Sequence, residues 1–122
     1  MVRIGNHLKI IVAQSLRPKT REFYADLLGC RVLDSPRPDL DLYEFEDGFV
    51  LGLFFGPESD ALSPNDYLKA TWMELKTEDP AALKSRLLAF GVKQVDFPDE
   101  TRFFFQAPDG QVFRVAPLDG GL

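Results

Sequence analysis

The sequence is poor in the residues that build reactive centres. Its 122 residues include one cysteine, one histidine and one tryptophan. A lone cysteine, Cys30, excludes a disulfide framework and a thiolate zinc site within one chain. It follows Leu27-Leu28-Gly29 and reads as a buried structural thiol rather than a nucleophile. A lone histidine, His7, excludes any centre that needs two imidazoles from the same chain. No cluster of Lys and Arg is present, the net charge is −5 and the pI is about 4.8, so no nucleic-acid partner is expected. The acidic balance serves solubility and would also attract a cationic ligand. The longest apolar run, "FVLGLFF" at 49–55, is too short to span a bilayer as a helix, and no membrane partner is expected. No secretory hydrophobic segment is read near Met1, and a cytoplasmic location is expected.

What remains is an ordinary globular composition, 45% hydrophobic and 27% charged, at a length that suits one compact domain, 1–122. "HLKIIV" at 7–12 is a strand rich in β-branched residues. Pro18 opens a helix to Leu28 that stops at Gly29, with Phe23 and Leu27 on its apolar stripe. "CRVL" is a short strand, Pro36 and Pro38 mark a loop, and "LDLYEFE" alternates apolar and polar residues. Asp47-Gly48 turns the chain, and "FVLGLFF" returns. The polar stretch 57–70 reads as a linker. "TWMELKT" is then a strand, and Asp79-Pro80 caps a helix that stops at Gly91. "VKQVDF" and "TRFFFQ" are strands, Pro108-Asp109-Gly110 is a turn, and "QVFRVA" closes the chain.

The elements therefore occur twice, as strand, helix, strand, strand, hairpin turn, strand. The helix stops at Gly29 and Gly91 correspond, and so do the turns Asp47-Gly48 and Asp109-Gly110. Such a repeat outranks the reading of any single element. The expected fold class is α+β, built from two βαβββ modules at about 5–56 and about 71–117.

With its duplicated pattern, the chain resembles the vicinal oxygen chelate superfamily, which includes glyoxalase I, extradiol dioxygenases and the fosfomycin- and bleomycin-resistance proteins. "FYADLLGCRVL" is similar to that family's first helix and second strand. "FFFQAPDGQVFRV" is similar to its closing hairpin, with Ala107 where an aspartate is usual. The resemblance implies an open half-barrel cleft in which metal-dependent members hold a divalent ion. The ligands come from the first and last strands of each module. Those positions fall here on His7, Gly52, Trp72 and Arg114. The last normally carries glutamate.

Only His7 fits a family ligand position. Glycine has no side-chain donor, indole is not a ligand, and a guanidinium stays protonated. No metal or other cofactor is therefore expected. Strand alternation puts His7, Lys9, Ile11, Trp72, Glu74, Lys76, Gly52, Phe54 or its neighbour, Val112 and Arg114 on the cleft side. His7, Trp72, Glu74 and Arg114 are the candidate ligand-binding residues, for an aromatic or amphipathic small molecule. Trp72 would be a stacking platform and Arg114 an anion anchor. Two readings stay open for Arg114, an internal pair with Glu74 or a ligand contact. His7 is equally readable as a plain strand-end histidine. The resemblance to the bleomycin-resistance branch implies a homodimer. The competing function is a metal-dependent lyase or dioxygenase of the same superfamily with an atypical or shared metal site.

Overall fold

A computed structural model describes residues 1–121. The chain divides into two compact units, 1–62 and 63–122. Each is built on its own four-stranded sheet, and neither sheet closes into a barrel.

In the first unit, β1 (His7–Ala13) lies parallel to β4 (Val50–Gly56). β3 (Leu40–Glu44) runs antiparallel to β4, and β2 (Arg31–Leu33) antiparallel to β3, giving the order β1-β4-β3-β2. In the second, β5 (Met73–Thr77) is parallel to β8 (Val112–Pro117). β7 (Phe103–Gln106) and β6 (Lys93–Gln94) follow antiparallel, in the order β5-β8-β7-β6. The same connectivity thus occurs twice, as expected of two βαβββ modules.

The repeat extends to single hydrogen bonds. In the first hairpin Phe45 N–H donates to Phe49 O and Gly48 N–H to Phe45 O, both at 2.9 Å. In the second, Ala107 N–H donates to Gln111 O at 2.8 Å and Gly110 N–H to Ala107 O at 2.9 Å. Gly48 and Gly110 hold φ of 89° and 106°, a left-handed conformation that a Cβ disfavours.

The crossover helices differ. In the second unit α3 (Pro80–Phe90) is regular. Asp79 Oδ1 accepts from Ala82 N–H at 3.0 Å, Pro80 fills the first turn, and Gly91 ends the helix at φ 101°. In the first unit the expected helix 18–28 is divided. α1 (Arg17–Arg21) passes into a π-helical turn, Glu22–Leu27, with Leu28 N–H bonded to Phe23 O. The wider turn lets the consecutive residues Phe23 and Tyr24 both bury completely.

The stretch 57–70 is folded rather than featureless. α2 (Pro64–Tyr67) starts at Ser63, whose hydroxyl accepts from Asp66 N–H. Gln106 Nε2 donates to Pro64 O at 2.8 Å and Gln111 Nε2 to Thr71 O at 2.7 Å, fastening this stretch to the β7–β8 hairpin. β6 is shorter than the expected 92–97. Its side of the ladder ends where Val95 N–H meets Phe104 O, before Pro98.

Candidate functional site

Alternation along each strand separates a covered face from an open one. In the first unit Ile10 and Val12 are buried, whereas His7, Lys9 and Ile11 are exposed. Gly52 lies on the His7 side. A Cβ built there would meet His7 Nε2 at 3.1 Å, Leu42 Cδ2 at 3.4 Å and Leu40 Cδ1 at 3.7 Å. The imidazole therefore packs over a bare backbone, and any larger residue at 52 would point straight at it. Lys9 Nζ sits 5.0 Å from the Phe54 ring centroid, which puts Phe54 on this face.

In the second unit Glu74, Phe104 and Arg114 are direct cross-strand partners on one face, where Phe104 is buried, and Val112, expected to line the cleft, is fully covered. Arg114 Nε donates to Glu74 Oε2 at 2.6 Å, and Nη2 lies 2.5 Å from the same oxygen. The two side chains are 22% and 26% exposed, so the ion pair is partly screened. Lys76 Nζ adds a weaker approach to Glu74 Oε1 at 3.9 Å. The internal pairing of Arg114 is thus realised.

Trp72, one residue before β5, is half-buried. Its ring centroid is 5.2 Å from Phe97 and 5.8 Å from Phe104, and Phe97 and Phe104 are 4.8 Å apart. Its Nε1–H donates to Leu68 O at 3.1 Å, which fixes the ring's orientation. Phe104 is the phenylalanine of 103–105 that turns to this side. Phe103 and Phe105 stack on the other, with Phe105 against Phe113. The structure so brings Trp72, Glu74 and Arg114 onto one face of the second sheet, and places His7 beside Gly52 on the first.

One polar cluster was not among the sequence candidates. Asp41, 3% exposed, accepts from Arg17 Nη2 at 2.8 Å and Arg21 Nη2 at 2.9 Å through Oδ1, and from Tyr43 Oη at 2.8 Å through Oδ2. Burial pushes the Asp41 carboxyl up. The hydrogen bonds from Arg17 and Tyr43 and the two guanidinium charges outweigh this and hold it below the usual carboxylate range. Desolvation, then the bond to Asp41, pushes the Tyr43 phenol up. The signal was available in the i, i+4 spacing of Arg17 and Arg21. "LDLYEFE" concealed it, because here Asp41 and Tyr43 face inward while Leu42 is half-buried. The cluster ties the helix to β3. Cys30 is buried, and desolvation pushes its thiol up to about 12, the state of an unreactive structural cysteine.

No protein-family model matches the sequence, and no curated protein matches it. Solved structures do. A possible glyoxalase from Bacillus cereus is 24% identical over 93% of this chain and 98% of its own, with a TM-score of 0.69. TnmS3, an antibiotic-binding protein from a Streptomyces species, is 18% identical over 95% and 96%, with a TM-score of 0.62. A variant of the fosfomycin resistance protein of Listeria monocytogenes, complexed with Mn(II) and a dihydroxypropylphosphonic acid, is 17% identical over 94% and 90%, with a TM-score of 0.68. The chain has the vicinal oxygen chelate fold. The register repeats between the two units, since Gly52 lies opposite Lys9, two residues beyond His7, and Arg114 opposite Glu74, two residues beyond Trp72.

A divalent ion does not fit the side chains at Trp72, Gly52 and Arg114. The indole N–H of Trp72 is a donor already spent on a carbonyl. Gly52 offers no side chain, and Arg114 brings a permanent positive charge that binds the nearest carboxylate, Glu74. One imidazole is left. Among the described residues no three His, Cys, Asp or Glu side chains gather as a metal group. No helix among them is long and apolar enough to cross a membrane.

Proposed function

We propose that this chain is a small-molecule-binding protein that uses the vicinal oxygen chelate fold without a metal ion. The observation that carries the reading is the Arg114–Glu74 pair. A cation, held in place, stands where metal-dependent members of the superfamily keep a glutamate. An aromatic or amphipathic ligand suits the surrounding chemistry. Phe97, 47% exposed, is open to a further ring and is backed by Trp72 and the buried Phe104. Arg114 has five N–H donors and spends two groups on Glu74, which leaves capacity for a ligand oxygen. His7, exposed over Gly52, is a separate hydrogen-bonding edge on the first sheet. An antibiotic-binding protein of the same fold is a precedent for such a role. A homodimer in the cytoplasm completes the proposal.

The competing reading is a metal-dependent lyase or dioxygenase whose remaining ligands come from a second subunit. The likeness to a possible glyoxalase and to a Mn(II) complex favours it. The two are separated by a thermal-shift screen of aromatic acids, amines and antibiotics, run with chelator and with added Mn(II). The proposal expects hits that are indifferent to both, and weakened by Trp72→Ala and Arg114→Met. Hits or turnover that appear only with Mn(II) would establish the competing reading.

A further inference from the structure

The second unit contains a cavity of about 650 Å³ between the first turns of α3, the loop 95–102 and the strands β7 and β8. That size suits a small organic ligand. Its apolar wall includes Phe97, Phe103, Val115 and Pro80. Phe103 faces the helix side of the sheet, stacked on Phe105, so the cavity is not confined to the face that bears Glu74 and Arg114.

Two cations line it. Lys84 Nζ lies 5.2 Å from the centroid of the Phe103 ring, and Arg102 is the next residue to that ring. Neither makes an ion pair among the described residues. Arg102 Nη1 donates to its neighbour's carbonyl, Thr101 O, at 3.1 Å. Its Nε is buried and has no hydrogen-bond acceptor among the described residues. That atom is closed off from solvent, so a ligand oxygen would meet the outer guanidinium nitrogens of Arg102 and Lys84 Nζ instead.

Asp99 feels the charge of Arg102, but no carboxylate of the loop pairs directly with Arg102 or Lys84 among the described residues. Asp99 Oδ1 is engaged by the Thr101 N–H at 3.0 Å and the Thr101 hydroxyl at 2.5 Å. Asp96 and Glu100 are exposed. They do set the local balance, because three carboxylates and two cations around one cavity disfavour a dianion. The geometry points to a binding site for a small aromatic monocarboxylate, its ring against Phe103 and Phe97 and its carboxylate on Arg102 and Lys84. This site shares Phe97 and Phe104 with the aromatic residues argued above and differs from that face in Phe103, Lys84 and Arg102.

The test is a titration of the ¹⁵N-labelled full-length protein with phenylacetate, phenylacetamide and phenyl phosphate, followed by amide shifts. Phenylacetate is expected to give saturable shifts at Ala81, Lys84, Val95 and Arg102, and to bind at least about tenfold tighter than the amide, the value of a charge-assisted contact. Phenyl phosphate is expected to bind more weakly than phenylacetate. Arg102→Met and Lys84→Met should each weaken phenylacetate by about fivefold or more, whereas Arg31→Met, on the other sheet, leaves it unchanged. Equal binding of acid and amide overturns the site, as do shifts confined to residues outside the cavity or no saturation at millimolar ligand. The acid–amide comparison uses the unaltered protein, so it decides the matter even if Arg102→Met fails to fold.

Discussion

Arg114 and Glu74 face each other across the parallel strands β8 and β5, joined through a single carboxylate oxygen, with Nε at 2.6 Å and Nη2 at 2.5 Å. Both are about three-quarters covered, which places the pair between a surface bridge and a buried one. Arg114→Met and Glu74→Gln are each expected to cost about 1–2 kcal/mol, with a coupling of about 1 kcal/mol in the double-mutant cycle. Urea denaturation of the four proteins measures it. Strict additivity would mean that the pair contributes nothing.

The Asp41 cluster makes an acid-sensitivity prediction. Its folded-state pKa is depressed, so the unfolded chain binds the proton more readily. The stability it contributes is present above the unfolded carboxylate value, about 3.9, and is lost as pH falls through the folded value. Asp41→Asn should lower stability near neutrality by about 1–3 kcal/mol, since Arg17 and Arg21 lose their shared partner. It should also flatten the decline below about pH 4. An equally steep acid decline in Asp41→Asn and the parent protein would remove Asp41 from the account.

The two turn glycines are equivalent in sequence and unequal in surroundings. At Gly48 a Cβ meets nothing within 4 Å, whereas at Gly110 it would run into the Tyr67 ring, with Cε2 at 2.7 Å. Gly48→Ala is expected to cost about 1 kcal/mol from the left-handed backbone alone. Gly110→Ala adds steric overlap with a buried ring and should cost about 1–3 kcal/mol more. Thermal midpoints that shift equally would show that Tyr67 moves aside freely.

These contrasts show which parts of the molecule could be read in advance. Gly48, Gly91 and Gly110 announce themselves because a positive φ is needed there and glycine adopts it cheaply. Asp79-Pro80 is legible for a like reason, since a side-chain acceptor and a residue without N–H both suit a helix start. The positions of Glu74 and Arg114 follow from alternation counted from those turns. What could not be read depends on tertiary contacts. Nothing in "EFYADL" signals a π-turn, and Asp41 looks like a solvent-side residue until Arg17 and Arg21 are brought over it. Phe97 joins Trp72 only because the strand before it stops early, as the loop through Pro98 and Asp99 fixes.

Cys30 should behave as its burial dictates. With the thiol pushed up to about 12, modification by iodoacetamide at pH 8 is expected to be at least about a hundredfold slower than in the denatured chain. Mass spectrometry gives the count. Rapid labelling of the native protein would contradict the buried placement.

Arg114 is proposed to stand where a metal ligand would be, and elemental analysis of the purified protein after equilibration with Mn(II), Zn(II), Ni(II) and Fe(II) tests that most directly. The predicted result is substoichiometric metal, unchanged by His7→Ala. One tightly held ion per chain, released when His7 is replaced, would contradict it.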